Sequence, residues 1–177
     1  FTETVDRKAP TPRPFNSNQE LRDAVNKYAN YDPDDAEGFA TTYGWPMDRW
    51  DVSQVDDFRW TFQGKISFNE PIGSWNVSNA KTMAGMFYEA RSFNQDISAW
   101  DTSNVIDMSG IFNDATSFNQ HISAWDTSNA TVMSGMFGNA ASFNSDISAW
   151  DTSRVTDMHG MFNDATCFNK DISAWDT

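Results

Sequence analysis

Residues 100–124 read W-D-T-S-N-V-I-D-M-S-G-I-F-N-D-A-T-S-F-N-Q-H-I-S-A, and at Trp125 the succession begins again. Six tryptophans, Trp50, Trp75, Trp100, Trp125, Trp150 and Trp175, stand 25 residues apart, and the five units they delimit align without an insertion. A fixed period of this size marks a repeat array, in which one unit cannot bury its apolar face alone and does so against its neighbours. Constant length predicts identical coils. Equivalent residues then stack in columns: Phe93 with Phe118 and Phe143, Asn94 with Asn119 and Asn144, Ile97 with Ile122 and Ile147.

Within the unit, Val105, Met108, Ile111, Phe112 and Ala115 are spaced as the apolar stripe of a short helix, with Ser103 at its cap and Asp107 in its first turn. Around Ile122 to Trp125 the run is short and partly β-favouring, which predicts a brief strand supplying one rung of a parallel sheet. The expected fold is an α/β solenoid, leucine-rich-repeat-like, with one short parallel β-strand and one short helix in each 25-residue coil. Gly85, Gly110, Gly135 and Gly160 fall in the helical stretch, and close packing between adjacent helices is the reading that explains them.

Ahead of the array, Ser17 and Glu20 form a capping box before Leu21, Ala24, Val25 and Tyr28, a one-faced helix ending near Asn30. A second helical stretch is expected around Ala36 to Thr42. The chain thus divides into an extended Pro-rich arm at 1–14, an α-helical N-terminal cap at 15–49, and five full repeats with the start of a sixth at 50–177. Trp175-Asp176-Thr177 opens that sixth unit with no polar terminal unit after it, so the C-terminal end is expected to be covered by further repeats or by a partner. Phe1 in place of Met leaves a removed leader open.

The 12 Lys plus Arg against 25 Asp plus Glu give a net charge of -13, which opposes binding to nucleic acid or to anionic lipid. A single cysteine, Cys167, excludes an internal disulfide framework and a cysteine-based zinc cluster. The chain carries no apolar run long enough for direct membrane insertion.

The polar columns are the candidates for chemistry. Asp51, Asp101, Asp126, Asp151 and Asp176 align, with Asn76 in the remaining place, and Pro71, Asp96, His121, Asp146 and Asp171 form a second column that sets His121 between two carboxylates. The glycine-aspartate nonapeptide of calcium-binding rolls is absent, so these columns read as solvated turn caps, and no metal or other cofactor is expected. As an exposed binding surface the candidates are Asp101, Asp126, Asp151, Asp96, His121, Asp146 and Asp171. The Asn column reads as a ladder satisfying backbone groups, and the Trp column as core, with an aromatic platform for sugars only if its rings are exposed. Thr102, Thr127, Thr152 and Thr177 align as a minor candidate for a flat hydroxyl array, and Asn76-Val77-Ser78 and Asn129-Ala130-Thr131 are glycosylation acceptor sequences. Every Ser or Asp worth naming recurs with the period, and no nucleophile elbow or phosphate loop is present, so no catalytic residue is expected.

The unit W-D-T-S-N-V-x-D-M-S-G-M-F-N-D-A-T-S-F-N-Q-D-I-S-A-W resembles the BspA-like repeat first described in mycoplasma surface lipoproteins, and Glu20 to Val25 with Tyr43 to Ser53 resembles that family's entry into its array. Phe58, Trp60 and Lys65 depart from the usual Met, Gly and Ala where the first coil meets the cap. The resemblance implies a leucine-rich-repeat grouping, surface display and, for some members, adhesion, with no catalytic motif. The function expected is a non-enzymatic protein- or glycan-recognition and adhesion module, at the cell surface or extracellular. The alternative is a purely structural subunit of a larger assembly, or a protein of an organelle lumen.

Overall fold

The structure, a computed structural model, describes residues 13–29, 41–44 and 46–176. The expected extended arm lies almost wholly outside the described residues, as does most of the stretch around Ala36 to Thr42, of which residues 41–43 are helical.

Among the described residues ahead of the array, α1 spans Asn18–Ala29 and a single 3-10 turn spans Met47–Arg49. The Ser17 hydroxyl accepts from the Glu20 amide at 3.2 Å, and the Glu20 carboxylate reaches back to the Asn16 amide at 3.0 Å, so the capping box forms with its return bond one residue upstream. The buried side of α1, Leu21, Ala24 and Val25, joins the core of the first coil together with Phe15 and Met47. Asn18 donates from its side-chain amide to the Arg59 carbonyl at 3.0 Å, covering a backbone acceptor that no preceding coil is there to pair.

The repeats correct the expected α/β solenoid. Among the described residues no strand forms and no helix lies within the repeats; the only ladder elements are isolated parallel bridges joining Asp57, Thr82, Asp107, Val132 and Asp157 in turn. The stretch expected as a helix is a run of tight turns, closed by bonds such as Ile111 N to Met108 O, Asn113 N to Gly110 O, Ala115 N to Phe112 O and Phe118 N to Ala115 O. The amides between them point out of the coil: those of Met108, Gly110, Phe112 and Asp114 donate to Val132, Ser134, Met136 and Gly138 of the next one, at 2.9, 2.9, 3.0 and 2.8 Å. Ser103 caps no helix; its amide donates to Asp101, as the Ser109 amide does to Asp107. The expected strand at Ile122 to Trp125 is a turn closed by Trp125 N to Ile122 O at 3.1 Å.

The glycines fit this reading rather than helix packing. Gly85, Gly110, Gly135 and Gly160 have φ between 56° and 62°, the left-handed region that a helix excludes, and four residues on Glu89, Asp114, Asn139 and Asp164 take it too. In the first coil the roles are exchanged, with Trp60 at φ 61° and Gly64 at φ 68°.

Much of what the stack buries is aromatic. Phe87, Phe112 and Phe137 succeed one another at 5.6 and 5.7 Å between ring centroids, Phe93, Phe118 and Phe143 at 6.0 and 6.1 Å, and the two columns meet within each coil, as at Phe112 and Phe118, 3.7 Å apart. Trp100, Trp125, Trp150 and Trp175 stack at 6.3, 6.5 and 6.3 Å with nearly parallel planes. Each buried indole N–H finds a carbonyl, Trp50 that of Gly44, Trp75 that of Met47 and the later ones that of the isoleucine 28 residues back, as Trp125 does at Ile97, 3.1 Å away, which removes the cost of burying a polar group.

Candidate recognition surface

The chain changes direction at polar corners, and the aspartate columns make them. In the first column, Asp51, Asp101, Asp126 and Asp151 each accept the amide of the serine two residues on, at 2.9 to 3.1 Å, and Asn76 does the same for Ser78 at 3.2 Å. In the second column Asp96, Asp146 and Asp171 accept from Ser98, Ser148 and Ser173 at 2.9, 3.0 and 2.9 Å. A third set, unremarked in the sequence, runs through Asp57, Asp107 and Asp157, each at 2.9 Å from the amide two residues on. These are side-chain-closed turns, in which a short carboxylate arm mimics a backbone carbonyl.

All seven candidates, Asp101, Asp126, Asp151, Asp96, His121, Asp146 and Asp171, are exposed. The serine amide and then its hydroxyl hold the carboxyls of Asp96, Asp146 and Asp171 below the ordinary aspartate range, and the hydroxyl followed by the amide does so for Asp101 and Asp151. The charge of His121 adds a small pull on Asp96, and that of Lys170 on Asp146. Among the described residues no group of three or more His, Cys, Asp or Glu side chains is placed to hold a metal ion.

The other columns are structural in their geometry. Asn94, Asn119, Asn144 and Asn169 donate from the backbone to the side-chain oxygen of the preceding column member, at 2.8 to 3.0 Å, and the column is exposed to half-buried. Thr102, Thr127 and Thr152 are buried and donate to the carbonyls of Asp126, Asp151 and Asp176, so they offer no flat external array. The tryptophans of the column, Trp50, Trp75, Trp100, Trp125, Trp150 and Trp175, are at most 9% exposed and cannot serve as a sugar platform. Asn129 spends its amide on the Ser103 carbonyl at 2.8 Å. Gln95 and Gln120 reach back to the carbonyls of Asn69 and Asn94 at 2.9 and 2.8 Å; Ser145 is too short to follow, and its hydroxyl is buried without a partner. Where α1 meets the first coil, a cleft of about 220 Å³ is lined by Val25, Tyr28, Met47, Lys65, Phe68 and Asn69. No helix among the described residues is long and apolar enough to cross a membrane.

Repeat, stacked aromatic columns and polar corners together define a repeat protein whose surface is the same short set of side chains displayed over and over. The chain belongs to the family described as Mycoplasma protein of unknown function, DUF285, which it matches over residues 36–137 and again over 95–177. No curated protein and no solved structure matches it.

Proposed function

We propose that this protein is a non-enzymatic recognition module, displayed outside the cytosol, whose exposed aspartate columns meet a cationic surface on a partner protein. The observation that carries the reading is the division of labour at each corner: Asp101, Asp126 and Asp151 each give one oxygen to a serine amide, so exposed carboxylates are held in fixed orientation coil after coil. Preorganised charge of one sign favours a complementary partner and speeds its encounter. Burial of the tryptophan column favours a protein over a glycan. The resemblance of the unit to BspA-like repeats supports surface display and an adhesive role. Recurrence of the candidate aspartates with the period argues against a unique catalytic centre.

The test is affinity capture from the native source with the immobilised chain and with its D101N/D126N/D151N and D96N/D146N/D171N variants, at low and high salt. Asparagine keeps the corner, as Asn76 does for Ser78, so the variants remove charge and spare the fold. The expected result is a captured protein whose retention falls about tenfold on neutralising a column, a loss of about 1.4 kcal/mol, and falls likewise with salt. Retention indifferent to both changes overturns the acidic-column reading, and stoichiometric co-purification with an assembly that salt does not release favours a structural subunit instead.

A further inference from the structure

We propose that the cleft between α1 and the first coil is a binding site for a free α-amino acid with a bulky apolar side chain. Its apolar wall is made by Val25 and Tyr28 of α1, Met47 of the 3-10 turn and Phe68 of the first coil. Phe68 is half-buried where Phe93, Phe118 and Phe143 are fully buried, and it lines the cleft. The volume of about 220 Å³ exceeds the roughly 150 Å³ that takes a benzene ring and falls short of the roughly 300–1,000 Å³ of pockets for larger ligands, which suits one molecule the size of leucine or phenylalanine.

The polar groups at this cleft break the period, and the fold does not use them. Lys65 stands where the following coils bury Ala90, Ala115 and Ala140, and Glu70 where Gln95 and Gln120 bond the preceding coil. Other departures of the first coil have local uses: Phe58 is buried, and the Trp60 ring covers Gly85. The side chains of Lys65 and Glu70 have no hydrogen-bond or ion-pair partner among the described residues, and they do not pair with each other. The Asn69 amide completes the set. Asn94, Asn119, Asn144 and Asn169 donate from the backbone to a side-chain oxygen 25 residues back; for Asn69 that place falls to Gly44, which has no side chain, and the Asn69 amide is left without a partner among the described residues. A cation and an N–H for a carboxylate, an anion for an ammonium and an apolar wall beside them are the complement of a zwitterion with an apolar side chain. A hydrocarbon would leave Lys65 and Glu70 as unpaired as before, and a nucleotide or an oligosaccharide is too large. The site is separate from the aspartate columns and does not depend on their function.

The test titrates the isotope-labelled chain with L-leucine and L-phenylalanine and follows amide shifts by NMR. Saturable shifts are expected at Val25, Phe68 and Asn69, with a Kd of about 1 mM or tighter, while Met108, Gly135 and Gly160 stay unmoved. N-acetyl-L-leucine, which lacks the ammonium, and L-leucinamide, which lacks the carboxylate, should each bind at least about tenfold more weakly than leucine. K65A and E70Q install residues that the following coils carry at those positions, and each should weaken leucine binding by a similar factor. The D101N/D126N/D151N variant should bind leucine as the unaltered chain does. The blocked analogues probe the unaltered protein, so the test stands even where a variant unfolds. Three results overturn the proposal: no saturable shift at about 10 mM of either amino acid, blocked analogues bound as tightly as leucine, or undiminished affinity in folded K65A and E70Q.

Discussion

At the scale of single residues, the left-handed positions are where one side chain decides most. An alanine at Gly110 meets nothing closer than Asn113 Cβ at 3.8 Å, so G110A should cost about 1–2 kcal/mol from conformation alone. At Gly85 the same change drives its Cβ into the Trp60 ring. G85A should therefore cost more, and in a W60A background its cost should fall to that of G110A; urea denaturation of the four proteins checks this, and equal costs for G85A and G110A would remove the ring from the explanation. Ser145 offers a gain. Glutamine there can reach the Asn119 carbonyl as Gln120 reaches that of Asn94, so S145Q should stabilise by about 0.5–1.5 kcal/mol in the same assay. N119A deletes the acceptor of the Asn144 amide at 2.8 Å, and because the column is partly exposed the cost should be about 1 kcal/mol, with N119D close to neutral. An unchanged melting temperature in N119A would show that water replaces the ladder at no cost.

The element that defines this protein is the polar corner, and its carboxylates make it sensitive to acid. The folded-state values of Asp96, Asp101, Asp146, Asp151 and Asp171 lie below those of the unfolded chain. Their contribution is therefore complete above the unfolded value of about 4 and disappears as pH falls through the lower folded values. Melting temperature should hold steady down to about pH 4 and decline below it, and D101N/D151N should flatten the decline, since asparagine closes the corner without titrating. A slope unchanged by that variant would move the acid sensitivity elsewhere. The corners were half legible in the sequence: the periodic Asp and Ser were plain, but an aspartate beside a serine serves a helix cap, a metal column and a closed turn equally well. The third set, at Asp57, Asp107 and Asp157, was hidden because Asp107 also suits a helix's first turn.

Across the whole molecule, coils that touch only their neighbours should be removable in whole units. Deleting residues 101–125 joins Trp100 to Asp126, sets Phe87 against Phe137 and restores every inter-coil bond in register, so the shortened chain should fold with a lower melting temperature. Deleting residues 101–113 breaks the register and should abolish the cooperative transition seen by near-ultraviolet circular dichroism. Equal tolerance of both deletions would mean that the columns do not hold the array together.

The amino-acid sequence by itself determined the period, the register of the columns, the capping box at Ser17 and Glu20, and which side chains face inward: Val105, Met108, Ile111, Phe112 and Ala115 are all buried. It did not determine the backbone that carries them. Apolar residues about three apart suit one face of a helix and equally the ends of successive tight turns, because both return the chain to the same side after three or four residues. The choice rests on where the amides of Met108, Gly110, Phe112 and Asp114 find oxygen, and they find it in the next coil, not four residues back. That partner exists only once the coils are stacked, which is why the tertiary structure, and nothing local, turned an apparent helix into a run of turns.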